Sequence, residues 1–219
     1  DNKTVKPFIS GRWLFPNVFG ESQLNVYQLI ATDLIPGSKK YKLVDIKKPD
    51  LETFRSSYLE KFSFYTDIYK NDDNNTHVLA AYNKNDELVA SIALTDTESY
   101  KQEIITGIPK HLQLLINTVD FVNKIHKIIN LPHLNESIRI LYIRFFQFNE
   151  GYESALHFLI NEAMKIAFAR KMHFLTVGIH DKSPFNSYFK RYPKITFKVS
   201  VLFSGKDLDK KIVESIENG

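Results

Sequence analysis

The chain contains no cysteine. That absence excludes disulfides, thiolate zinc sites and thiol nucleophiles together, and it fits a reducing compartment, the cytoplasm. No apolar run is long enough to cross a bilayer, so no membrane contact is expected. The first residues, DNKTVKPFIS, lack the apolar stretch of a secretory leader. They also lack an initiator Met, which fits a trimmed or processed fragment. There is no P-loop, no GxGxxG and no GxSxG elbow, so three common nucleotide and nucleophile motifs are missing. Seven histidines stand at 77, 111, 126, 133, 157, 173 and 180, yet none forms an HExxH pair, and no metal site is expected. A net charge of +4 is too modest for a dedicated nucleic-acid surface. The aromatics interleaved with cations in YFKRYPKITFK could stack bases, but their alternation fits a final strand better.

What is present is a sequence able to build a core: 43% of its residues are hydrophobic, which argues against disorder. Residues 1–40 are punctuated by Gly11, Pro16, Gly20, Pro36 and Gly37, with one candidate strand, LNVYQLIAT. They read as an N-terminal extension or the remnant of a preceding domain, leaving 41–219 as the main domain. YKLVDI alternates like a strand. Asp50 offers an N-cap with Phe54 and Tyr58 at helical spacing, and FSFYTDIYK reads as a second helix. The loop NDDNN follows. THVLAAYN and ELVASIALTD then flank NKND, a hairpin signal.

Residues 98–132 read as a helical insertion, with Leu112, Leu115, Ile116, Val119, Val122 and Ile129 on one face and Pro132 as the stop. SIRILYIRFFQF is the longest strand candidate. The helix GYESALHFLINEAMKIAFARK follows, with Ala155, Leu156, Leu159, Ile160, Ala163 and Ala167 facing inward. FLTVGI reads as a buried strand, PFNSYFKRY as a short helix begun by Pro184, and ITFKVSVLF as a closing strand. The tail KDLDKKIVESIENG is either a last helix or a frayed end. The sum is an α/β (α+β) chain: a mixed central sheet flanked by helices, a helical insertion before the long central strand, and a βαβ unit in the second half.

The strand–turn–helix SIRILYIRFFQF–NEGYES–ALHFLINEA, then FLTVGI and DKSPFNSY, resembles the GCN5-related N-acetyltransferase superfamily between about Tyr41 and Phe203. Asp181 falls where that family has Asn, Pro184 where it has Ala, and Tyr188 on its Tyr, with Tyr192 near the next aromatic. ESYKQEIITG and FLTVGIHDKSPF also resemble the second halves of tandem bacterial acetyltransferase-like proteins. The resemblance implies an acyl group moved from acyl-CoA, acetyl-CoA or another, to an amine of a small molecule or peptide. It implies CoA contacts at Phe146, Phe148, Asn149, Gly151, Tyr152 and Asp181, and Tyr188 as the general acid. It further implies, as partner, an upstream domain of the same fold or a second copy of the chain. His180, at a strand end where functional groups gather, is read either as a base or as a capping histidine. Glu98 is a weaker base candidate.

The family's turn carries Arg or Gln, then Gly-x-Gly or Gly-x-Ala; here only Gly151 remains. Glu150 and Glu153 sit at the helix start, where each opposes a second anion by roughly 0.3–1 kcal/mol. No Lys or Arg occurs from Phe145 to Met164, and the nearest is Arg144. A degenerate turn that has lost coenzyme A therefore stands as the alternative, in a non-catalytic scaffold or partner of a catalytic domain. The lysines at 39, 40, 42, 47 and 48 flank a predicted strand. They are read as a solvated edge, or as the surface for another acyl donor such as a charged tRNA or acyl carrier protein.

Overall fold

The computed structural model describes residues 18–36, 38–46, 76–98 and 102–204. The helices expected from Asp50 to Lys70, the NDDNN loop and the tail after Gly205 lie outside the described residues. The elements in chain order are β1 (Val18–Ile30), β2 (Lys42–Ile46), β3 (Thr76–Tyr82), β4 (Leu88–Asp96), β5 (Glu103–Ile104), α1 (Lys110–Asn123), β6 (Ser137–Ile138), β7 (Ile140–Phe148), α2 (Glu153–Ala169), β8 (Phe174–His180), α3 (Asn186–Phe189) and β9 (Lys194–Ser204). Seven strands form one mixed sheet in the order β2-β3-β4-β7-β8-β1-β9, and β5 pairs with β6. The expected α+β architecture is present. The strand expected at LNVYQLIAT is the longer β1, a member of this sheet. No helix among the described residues is long and apolar enough to cross a membrane.

The chain divides into two compact units, residues 28–177 with 193–195, and residues 1–27 with 178–192 and 196–219. In the larger unit β2, β3, β4 and β7 are antiparallel neighbours, and the NKND hairpin joins β3 to β4 as expected. Asn83 shapes that turn: its side-chain oxygen accepts the Asn85 and Glu87 N–H groups at 2.9 and 3.0 Å. Between β4 and β7 the register skips one residue, since Ala93 faces Phe145 and Leu94 faces Ile143. Arg144 is the extra residue of this bulge. β7 and β8 are parallel, and their pairing covers Ile140–Tyr142 against Phe174–Thr176.

Helix α2 connects these parallel strands. All six residues predicted to face inward are 0% exposed, and Phe158 and Met164 are buried with them. Residues at i, i+3, i+4 and i+7 share one helix face, so this spacing delivers a continuous apolar stripe to β3, β4 and β7. The helix ends in a Schellman motif. The Lys171 N–H donates to Phe168 O at 2.9 Å and the Met172 N–H to Ala167 O at 2.8 Å. Lys171 takes the left-handed conformation this motif requires, at φ 59°, where glycine is the usual residue. A non-glycine residue there costs about 1 kcal/mol.

Two expectations need correction. The insertion at 98–132 is not one helix: β5 comes first, and α1 ends at Asn123, well before Pro132. The Asn123 carboxamide ends it by accepting the Ile128 N–H at 3.0 Å and donating to Ile129 O at 2.9 Å. Ile116 is buried, but Val122 is 39% exposed. The strand expected over 137–148 is interrupted at Arg139, whose N–H donates to the His173 ring at 2.9 Å while its carbonyl accepts the His173 N–H at 2.9 Å. The smaller unit is centred on Phe189, fully buried and stacked on Tyr27 at 5.9 Å between ring centroids.

Truncating Leu159 to Ala should cost about 2–5 kcal/mol, because α2 cannot collapse onto the cavity left behind. Leu114→Ala, at a position 70% exposed, should change stability by under about 0.5 kcal/mol. Urea midpoints at constant m-value check both. Equal shifts would contradict the assignment of α2 as the core helix.

Candidate functional site

The turn between β7 and α2 is built from both sides. The Asn149 N–H donates to Val89 O at 2.9 Å and its side chain to Leu88 O at 3.2 Å, so Asn149 ties the end of β7 to β4. Gly151 follows with φ +79°, a conformation that opens to glycine without strain and turns the chain into the helix. Tyr152 occupies the N-cap position and provides no side-chain cap, although its hydroxyl lies 3.3 Å from Asn83 Nδ2. The first turn of α2 thus keeps uncapped N–H groups, the usual geometry of an anion site. Phe146 is buried in register with Ile92, and Phe148 is half-buried.

A lysine distant in sequence lies beside this turn. Lys40 Nζ donates to Ser154 Oγ in the first turn of α2 at 3.0 Å. The Tyr41 hydroxyl lies 2.6 Å from the same oxygen, and its ring packs on Phe158 at 5.7 Å. One member of the lysine cluster is therefore a neighbour of the helix N-terminus. Another, Lys42, pairs with Asp86 at 3.0 Å on the exposed edge, and Lys47 and Lys48 lie outside the described residues. Glu153 stands in the same first turn as Ser154. Ser91 Oγ and Gln147 Oε1, on directly paired residues of β4 and β7, are buried and make no hydrogen bond among the described residues.

The smaller unit holds the other predicted residues. Tyr188 is half-buried on α3, with its ring 6.2 Å from Phe185. His180 ends β8. Its Nδ1 accepts the Lys182 N–H at 3.3 Å, so Nε2 carries the proton, and that atom is buried with no partner among the described residues. The Asp181 N–H donates to Gln23 O at 2.9 Å, and the Asp181 carboxylate lies 3.7 Å from His180. Asn186, which sequence reasoning passed over, fixes this loop. Its amide nitrogen donates to the carbonyls of His180, Asp181 and Ser183 at 2.8, 3.1 and 2.7 Å. Its oxygen accepts from the Tyr27 hydroxyl at 2.8 Å and from Asn25 at 3.1 Å. Burial pushes the Tyr192 phenol up to about 12 against the opposing charge of Arg191, which leaves it a packing residue.

At the other end of β7, in the larger unit, lies a cavity of about 280 Å³ that the sequence did not announce. His133 bridges Asp120 of α1 and Glu136, each at 3.0 Å. His173, 4% exposed, faces Glu136 across 3.5 Å. Arg139 pairs with Glu98 at 3.0 Å, so Glu98 is engaged as an ion-pair partner. Hydrogen bonds to Asp120 and Glu136 hold the His133 ring above its ordinary range, with burial opposing. Burial holds His173 below its range, aided by the charges of Arg139 and His133 and opposed by Glu136. For Glu136 burial alone would raise the carboxyl, but the His133 N–H, its ring and both imidazoles outweigh it and lower the value. Residues from four separate stretches meet here, so no local spacing could have revealed them. No cluster among the described residues has a metal-binding arrangement.

No family model matches the chain, and no curated protein matches it by sequence. Its backbone is similar in part to a structure of Saccharomyces cerevisiae N-myristoyltransferase with bound myristoyl-CoA, at 13% identity and TM-score 0.44, over 83% of this chain and 47% of that one. A second structure of that enzyme with bound myristoyl-CoA matches at 12% and 0.46, over 87% and 52%. A functionally unknown conserved protein from Staphylococcus epidermidis matches at 10% and 0.46, over 94% and 69%. The chain spans about half the length of those N-myristoyltransferase structures. Likeness at this level assigns neither ligand nor reaction.

The two histidines act on stability with opposite signs. His133, raised on folding, stabilises below its unfolded value of about 6.5, and that contribution is lost as pH rises through its folded value. His173, lowered on folding, stabilises above the same unfolded value and loses that contribution as pH falls through its folded value. Stability between roughly pH 5 and 8 should therefore peak near 6.5. His133→Asn should flatten the alkaline side of urea midpoints plotted against pH, and His173→Asn the acid side. Unchanged profiles in both variants would contradict the network. Asn186→Ala should cost about 1–3 kcal/mol, since it strands buried polar partners.

Proposed function

We propose that the chain is an acyl-CoA-dependent N-acyltransferase of the GCN5-related type, acting on an amine of a small molecule or peptide. The observation that carries this reading is Lys40 at the uncapped N-terminus of α2, 3.0 Å from Ser154, beside the Gly151 turn. An anion there would meet unpaired backbone N–H groups, the positive end of the helix dipole and an ammonium group. The pyrophosphate of a coenzyme A thioester is such an anion. The sequence resemblance supplies the rest: Tyr188 to protonate the departing thiolate, and acetyl-CoA or a longer acyl-CoA as donor. The buried Nε2–H of His180 has no partner among the described residues and supports a substrate-facing position; with Nδ1 already accepting a backbone N–H, it would donate a hydrogen bond rather than take the amine proton.

A non-catalytic domain is the second reading, and Glu153 favours it. Its carboxylate already complements the helix dipole and opposes a phosphate by roughly 0.3–1 kcal/mol. A nearby ammonium at an exposed site offsets about the same amount, so Lys40 and Glu153 leave the backbone N–H groups to decide.

Calorimetric titration with coenzyme A and acetyl-CoA separates the two. The enzyme reading expects micromolar binding, weakened about tenfold by Lys40→Glu, or about 1.4 kcal/mol. Tyr188→Phe should leave binding intact and lower turnover in an amine-acceptor screen. No heat at millimolar ligand would remove coenzyme A from the account and favour the non-catalytic domain.

A further inference from the structure

The cavity at the far end of β7 is not explained by acyl transfer at the α2 N-terminus. Its walls come from the end of α1, the segment after it, Arg139 before β7, and the residues between α2 and β8. Asp120 and Glu136 are both engaged by His133 at 3.0 Å, and Glu136 also faces His173. Arg139 is engaged by Glu98. Two cations remain on the cavity wall. Neither Lys127 nor Lys171 makes a side-chain hydrogen bond or ion pair with a described residue.

Lys171 is the more telling of the two. It occupies the left-handed position of the Schellman motif at φ 59°, where glycine would be free of strain. Its side chain makes no hydrogen bond or ion pair with a described residue, and it lines the cavity. The end of a helix would ordinarily repel an anion through its exposed carbonyls. Here two of those carbonyls are covered: Ala167 O by the Met172 N–H, and Phe168 O by the Lys171 N–H and by Asn130 at 3.1 Å. Asn130 is itself 8% exposed and held a second time by Met172 O at 3.2 Å, so this wall is fixed before any ligand arrives.

We infer that the cavity binds a small molecule through an oxyanion, a phosphate or a carboxylate, recognised by Lys127 and Lys171. A volume of about 280 Å³ limits the occupant to a compact molecule. The charged groups facing His133 are Asp120 and Glu136, with His173, Arg139, Lys127 and Lys171 around the same space and Glu98 behind Arg139. Loss of the His133 proton leaves Asp120 and Glu136 uncompensated, so anion affinity should fall as pH rises.

The test uses the whole chain and three probes: inorganic phosphate, sulfate and succinate, titrated by amide NMR. Saturable shifts at Lys127, Lys171 and His173 with a Kd of about 1 mM or tighter are expected for at least one probe. Preference for phosphate or for succinate tells a phosphoryl group from a carboxylate. Sulfate keeps its charge between pH 6 and 8, on the order of the range in which imidazole titrates, so it isolates the protein's contribution. Its affinity should fall severalfold over that interval, and His133→Asn should abolish the fall. Lys127→Gln should weaken binding about tenfold, as should Lys171→Gly. Lys171→Gly also relieves backbone strain, so it should melt no lower than the native chain, which separates lost binding from lost folding. No saturable binding by any probe, or binding untouched in both lysine variants, would overturn the assignment.

Discussion

Burial of one face of α2 against β3, β4 and β7 is the constraint on which both ends of the larger unit depend. The helix must leave β7, pack its stripe of alanine, leucine, isoleucine and methionine onto the sheet, and return the chain to β8 in parallel. That path leaves little freedom at either terminus. At its start Asn149 is tied to β4 and Gly151 takes a positive φ, so the first N–H groups of α2 emerge beside Lys40. At its end the Schellman turn commits Lys171 to a left-handed conformation and sets His173 against Arg139. An exchangeable surface helix would fix neither place.

Much of the fold was legible because it is local. The inward residues of α2, the NKND hairpin and the strand FLTVGI follow from periodicity and turn chemistry acting over a few positions. The errors arose where distant groups override local preference. Leu112 to Ile129 reads as a helix over its whole length, but the Asn123 side chain caps the backbone early. SIRILYIRFFQF reads as one strand, but the His173 ring takes the Arg139 N–H out of the ladder. A side chain 34 residues away leaves no trace in a periodicity.

The same reasoning separates what could and could not be read of the candidate site. Gly151 and the helix start were visible as a turn. The absence of a cation between Phe145 and Met164 was also visible, and taken alone it argues for a lost phosphate site. A motif records only charges that are neighbours in sequence. Electrostatics depends on distance in space, and Lys40 reaches Ser154 from 114 positions away. The aligned residues Asp181, Pro184 and Tyr188 drew attention to the loop after β8, yet Asn186 holds five of its hydrogen bonds. Its two polar ends serve three carbonyls on one side and two donors on the other, a role that no residue type announces.

The two ends of α2 invite opposite electrostatic expectations, and the chain has modified both. The N-terminus should favour anions, but Glu153 stands there and Lys40 restores the balance. The C-terminus should disfavour them, but backbone N–H groups and Asn130 cover the carbonyls of Ala167 and Phe168, and Lys171 adds a positive charge. Dipole contributions fall off within one turn and amount to about 0.3–1 kcal/mol, so a single well-placed ammonium is enough to cancel either tendency. Helix direction therefore does not decide where an anion would be favoured on this chain. That depends on which ammonium groups are left unspent: Lys40 shares its N–H groups with a hydroxyl, and Lys127 and Lys171 share theirs with no described residue.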